Sequence, residues 1–128
     1  MKTISPVLCA PGAHAHRARP ATVSPTAIAG AARLLRAAAD PGRLTVLALL
    51  AGGEACVSDL TEWVGEPVAN VSGRLRLLHR EGLLSSRREG KHVFYALADQ
   101  HVVDLLLTVI AHAQEARREA AISRRRAH

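Results

Sequence analysis

The most constraining stretch is ADQHVVDLLLTVIAHAQEA, residues 98–116, which reads as one amphipathic helix carrying two possible metal ligands at each end. Asp99 and His101 stand at its start, His112 and Glu115 near its end, in the order D-x-H-x10-H-x2-E. Eleven residues is close to three helical turns, so His101 and His112 share a face but lie roughly 16 Å apart along the axis. A single ion with ~2 Å bonds cannot touch both. Two copies of the helix packed antiparallel would bring the start of one beside the end of the other. A two-fold dimer would thereby build two symmetry-related four-ligand sites. Nitrogen and oxygen donors in such a set suit zinc, with cobalt, nickel or cadmium as further divalent candidates. Asp99 also has the character of a helix cap, which explains its presence without any metal.

The chain around that helix is short and mainly helical. Its 128 residues suit one domain. Aromatics make up only 2%, and the apolar content is mostly Ala, Leu and Val, which favours packed helices over a sheet sandwich. A net charge of +6 points to a polyanionic partner. No run approaches the ~20 apolar residues of a membrane span, and a cytoplasmic protein is expected. With no H-E-x-x-H, no glycine-rich phosphate loop and no nucleophile–base pair, an enzyme is not expected.

Residues 1–23 contain Pro6, Pro11 and Pro20, no acidic residue and no periodicity, the pattern of a flexible basic arm. Ser24-Pro25 and Asp40-Pro41 are two helix starts of the same type, a capping oxygen followed by proline in the first turn. The second helix stops at Gly52-Gly53. VSDLTEWVG (57–65) reads as a short helix ending at Gly65, and PVANVSGRLRLLHREG (67–82) as the next, with Val71, Leu75 and Leu78 as its inward stripe. Asn70, Gly73, Arg76 and Arg80 point away from that stripe, with Ser72 and Arg74 on the flanks. Two short helices joined by a tight turn, the second basic on its outer face, form a helix-turn-helix. LLSSRREGKHVFYAL (83–97) follows as two strands around Glu89-Gly90-Lys91. Arg87, Arg88 and Lys91 cluster near its tip, a wing placed to contact phosphate. Residues 66–92 carry six Lys/Arg against three Glu, so the basic excess lies partly where DNA would be met. Trp63, Phe94 and Tyr95 read as packing residues. The SRRR run near the end lies in a second basic tail, residues 119–128.

With EACVSDL opening the third helix, VSGRLRLLHREGLL through the reading helix and GKHVFYAL in the wing, residues 26–118 resemble the ArsR/SmtB family of metal-sensing winged-helix repressors. The last helix resembles the zinc-sensing branch. That resemblance implies a winged helix-turn-helix, residues 24–118, that dimerises through its first and last helices. It further implies binding to double-stranded operator DNA without metal, and release when metal binds at Asp99, His101, His112 and Glu115. It also implies a second metal site around Cys56 and Asp59, completed from the arm by Cys9 with His14 or His16. Against that stands a single cysteine in EACVSDL, where soft-metal sensors of the family carry two. Other readings of the same residues are Cys56 as a small buried hydrophobe, and a Cys9–Cys56 thiol switch. A metal-independent regulator is the alternative for the helix ends. Gly73 departs from the family's reading helix and offers no side chain to a base; Arg74 is the neighbour able to reach guanine or phosphate.

Overall fold

The computed structural model describes residues 22–127, and the arm with Cys9, His14 and His16 lies outside them. Five helices and a small sheet follow in the order α1 (Pro25–Ala38), α2 (Pro41–Leu50), β1 (Ala55–Cys56), α3 (Val57–Val64), α4 (Val68–Arg80), β2 (Leu84–Glu89), β3 (His92–Leu97) and α5 (Gln100–Arg126). The two proline starts are capped as their sequence requires. Ser24 Oγ accepts from the Ala27 amide at 3.1 Å, and Asp40 Oδ2 from the Arg43 amide at 2.9 Å. Each cap satisfies a first-turn N–H that has no partner within the helix. At the helix-turn-helix corner, Gly65 takes φ 72°, a left-handed conformation in which a Cβ would be strained, and so ends α3.

The core is built where α2, α3 and α4 meet. Val46, Leu47, Leu60, Val71, Leu75 and Leu78 are fully buried. Each contributes about 1.5–3 kcal/mol relative to exposure, so this cluster fixes α4 to the rest of the chain. An ion pair and a cap tie α1 to the same unit. Arg33 grips Glu81 at 2.5 and 3.1 Å, just after α4. Arg43 Nε donates to the Ala37 carbonyl at 2.6 Å, covering the open end of α1.

The wing is wider than the expected hairpin. β2 and β3 pair antiparallel from Leu84↔Leu97 to Glu89↔His92, and β1 adds to the other edge of β3 through Ala55↔Tyr95 and Cys56↔Phe94. The sheet order is β1-β3-β2. A two-residue strand has no periodicity of its own, because its partner β3 determines it. Two other differences concern exposure and length. Trp63 is 56% exposed rather than packed, because Leu60 and Val64 take the inner side of α3. The basic tail expected from 119 onward continues α5 as helix up to Arg126. No helix of the described residues is long and apolar enough to cross a membrane.

Candidate metal pairs and nucleic-acid surface

Helix α5 begins at Asp99, whose Oδ1 accepts from the Val102 amide at 3.1 Å. The same oxygen lies 3.4 Å from His101 Nδ1. Capping and proximity to the imidazole therefore coexist in one carboxylate. Two donors bound ~2 Å from a tetrahedral ion sit about 3.3 Å apart, a separation close to that of this pair. At the other end, His112 and Glu115, one turn apart, line a shallow groove with Ala116 and Glu119. At 100° per residue, His101 and His112 lie within roughly 20° of each other around the axis, while Leu106 lies roughly 140° away. Leu106 is the side chain of α5 that is buried, so the donors face away from the protomer's own core. Among the described residues, no three His, Cys, Asp or Glu side chains converge on one point. One protomer thus presents two half-sets, chemically suited to a divalent ion and separated by the length of the helix between them.

Apolar side chains accompany those half-sets. Leu105, Leu107, Val109 and Ile122 on α5 are exposed, as are Ile28, Leu34 and Leu35 on α1. Exposed aliphatic groups of this kind, on two helices, are what association commonly covers.

The second candidate cluster falls only partly among the described residues. Cys56 is a free, buried thiol at the N-cap of α3, and its side chain makes no cap hydrogen bond. Asp59 is exposed in the first turn. Cys9 and His14 lie outside the described residues.

The nucleic-acid surface divides into available and occupied cations. On α4, Asn70, Arg76 and Arg80 are exposed, and Ser72 and Gly73 are half-buried. No atom would contact a Cβ on Gly73, so its backbone face is open. Arg80 reaches Glu81 only at 3.9 Å. Arg88 and Lys91 are exposed on the wing, whose turn is made by Gly90 at φ 60°. Arg74 and Arg87 are engaged instead. Arg74 forms a two-pronged pair with Glu66 at 2.5 and 2.9 Å. Arg87 bonds Glu54 at 2.6 Å and Glu89 at 2.8 Å, with its guanidinium 4.4 Å from the centre of the Phe94 ring. Sequence spacing puts both arginines on the expected contact surface. Glu54 and Glu66, which occupy them, come from loop positions outside the helical and strand periods.

Hydrogen bonds from arginines hold the carboxyls of Glu54, Glu66 and Glu81 below the ordinary carboxylate range. A lowered folded value means each pair contributes fully above the unfolded carboxylate range and is lost as pH falls through the lowered value. The tethers therefore hold at neutral pH and fail only in acid.

Comparison with known proteins agrees with this architecture. Residues 40–86 match the family described as "Bacterial regulatory protein, arsR family". The HTH-type transcriptional regulator NmtR of Mycobacterium tuberculosis is 39% identical over 99 residues, covering 77% of this chain and 82% of that protein. The chain belongs to the ArsR family. A Transcriptional repressor SmtB homolog of Synechocystis sp. is 42% identical over 84 residues, which span 66% of this chain and 64% of that relative's length. Among solved structures, the homodimeric winged helix-turn-helix domain (fragment 1-100) Mb0332 of Mycobacterium bovis superimposes with a TM-score of 0.66 at 33% identity, covering 74% and 91% of the two chains. The two sequence relatives are described as a transcriptional regulator and a transcriptional repressor homolog, and the winged helix found here is the fold of the Mb0332 domain.

Proposed function

We propose that this ArsR-family chain is a homodimeric, metal-responsive transcriptional repressor. It binds double-stranded operator DNA through α4 and the wing, and releases it when zinc or a similar divalent ion binds between the α5 helices of two protomers. The observation that carries the reading is the separation of the two donor pairs. Asp99 with His101, and His112 with Glu115, lie on the face of α5 turned away from the core, too far apart for one ion. An antiparallel partner helix would join the first pair of one protomer to the second pair of the other. The exposed aliphatic groups of α1 and α5 supply the apolar surface for that association.

On this reading Asp99, His101, His112 and Glu115 hold the ion, and the ion supplies a cross-link between protomers. Release requires it to prefer the dimer arrangement that fits DNA poorly. The coupling is typically about 1–3 kcal/mol and reciprocal, so DNA weakens metal binding equally. Protons compete for imidazole and carboxylate donors, so the response weakens on acidification. Asn70, Ser72, Arg76 and Arg80, with Arg88 and Lys91, face the DNA. Gly73 admits close backbone approach.

The deciding experiment is fluorescence anisotropy of operator DNA with wild-type protein and His112→Ala, titrated with zinc, cobalt, nickel and cadmium. The variant is expected to bind DNA as wild type does and to stay bound when metal is added. Normal release from His112→Ala would remove α5 as the sensor. A Cys9→Ser/Cys56→Ser double variant with unchanged zinc stoichiometry would exclude the arm cluster.

A further inference from the structure

Arg74 is the residue of the reading helix whose setting is hardest to explain by DNA contact alone. It stands beside Gly73 on α4, yet only 23% of its side chain is exposed. Its Nη1 and Nη2 meet the two oxygens of Glu66 at 2.5 and 2.9 Å. Behind it lies Gly42 of α2, where a Cβ would fall 2.7–2.9 Å from Nε, Cζ and Nη2. The guanidinium is therefore pressed against bare backbone, in a slot that any side chain at residue 42 would invade. Arg76, on the same helix, is exposed and has no side-chain partner among the described residues.

A carboxylate offers the arginine fork the same planar pair of oxygens that a phosphate offers. Glu66 thus occupies Arg74 in the manner a DNA phosphate would. Any phosphate contact by Arg74 must first displace an intramolecular partner already in place. The consequence falls on sequence-independent affinity, which grows with the number of phosphates neutralised. Base reading by the other residues of α4 is untouched.

Resting on the DNA-binding reading above, we propose that Glu66, with the slot at Gly42, masks Arg74 and holds it out of the phosphate-binding surface. The mask lowers affinity for non-specific DNA and so widens the gap between operator and genomic background. Glu66 acts here as a positioning residue for Arg74.

The test is a cycle of Glu66→Gln, Arg74→Ala and the double variant. Each binds a labelled duplex of mixed sequence, across a range of salt concentrations. Arg74→Ala alone is expected to bind no tighter than wild type and to keep the wild-type salt slope, because the masked cation neutralises no phosphate; the freed Glu66 carboxylate lowers affinity rather than raising it. Glu66→Gln is expected to bind about fivefold tighter at physiological salt, with the slope of log K against log salt steeper by about 0.9 per protomer. The double variant returns to the wild-type slope. A gain that survives in the double variant would be a generic charge effect and would overturn the mask, as would an equal gain from Glu62→Gln on α3. Gly42→Ala gives an arm without charge change: its methyl dislodges the guanidinium while improving helix propensity. Tighter binding by a folded Gly42→Ala protein supports the proposal. Weaker binding would mean that Arg74 serves DNA from its present position, and would overturn it. Wild-type protein that binds no duplex even at low salt would remove the DNA reading and the mask together; wild-type binding with an unresponsive cycle removes the mask alone.

Discussion

The helices α4 and α5 are held in opposite ways. In α4, 13 residues long, Val71, Leu75 and Leu78 are fully buried. In α5, 27 residues long, only Leu106 is buried, while Leu105, Leu107 and Val109 are exposed. Helix α4 is thus positioned by its own chain, whereas α5 keeps much of its apolar surface uncovered by the described residues. On the proposed function, this arrangement keeps the geometry of α4 rigid within each protomer. Regulation can then act on the arrangement between protomers.

The largest effect tests that contrast directly. Leu75→Ala should cost about 2–5 kcal/mol in urea unfolding at every protein concentration, because the cavity lies inside one protomer. Leu105→Ala and Leu107→Ala should cost little in a dilute sample. At concentrations that favour dimer they should lower stability by about 1–2 kcal/mol and shift sedimentation toward monomer. If their cost is the same at all concentrations, α5 is not completed by a second copy.

Next in size is the metal response, where complementation sharpens the comparison. His101→Ala and His112→Ala homodimers each lack a complete donor set and should hold no tight zinc. Mixing the two variants should restore one intact site per mixed dimer, joining the unaltered His101 of one protomer to the unaltered His112 of the other. Zinc stoichiometry by dialysis, before and after subunit exchange, reads this out. No recovery after proven exchange would mean the two pairs do not combine across the interface. Restored release from DNA should approach the range of about 5- to 150-fold expected of such couplings.

The same contrast explains what is legible in the sequence. The stripe of Val71, Leu75 and Leu78 repeats at the helical period because their burial is local to one face. Ser24, Asp40 and Gly65 mark helix ends because capping and left-handed turns demand those residue types. The proposed donor pairs on α5 rest on the same kind of constraint, since metal chemistry would restrict side-chain choice and helix geometry fixes the face on which these residues stand. Strand β1 is not visible, since two residues carry no pattern and β3 decides their pairing. Nor are the partners of Arg74 and Arg87. Glu66 and Glu54 lie eight and 33 positions away from those arginines, and no short-range rule joins them. The exposure of Trp63 runs against the expectation for so large an apolar ring, because Leu60 already fills the inner face of α3.

Gly73 gives a smaller effect with opposite signs on stability and function. It lies inside α4, and a Cβ added there would have nothing within 4 Å, so Gly73→Ala meets open space. The substitution should raise stability by up to about 1 kcal/mol through helix propensity. If the helix backbone approaches DNA there, the added methyl should weaken operator binding while raising the melting temperature. Unchanged binding would show that the gap at Gly73 faces no partner.

The smallest effect separates the two roles of Asp99 at the point where the last helix begins. Its Oδ1 caps the Val102 amide and lies beside His101 Nδ1. Asparagine caps about as well as aspartate, whereas alanine cannot and costs about 1 kcal/mol. Asp99→Asn should therefore leave the melting temperature within the error of a neutral change, while Asp99→Ala lowers it. Zinc distinguishes them differently, because an amide oxygen is neutral and a poorer ligand than a carboxylate. If Asp99 is a ligand, both variants should bind zinc more weakly than wild type. If it serves only as a cap, Asp99→Asn should bind zinc normally, and the site would rest on His101, His112 and Glu115 with water completing the set.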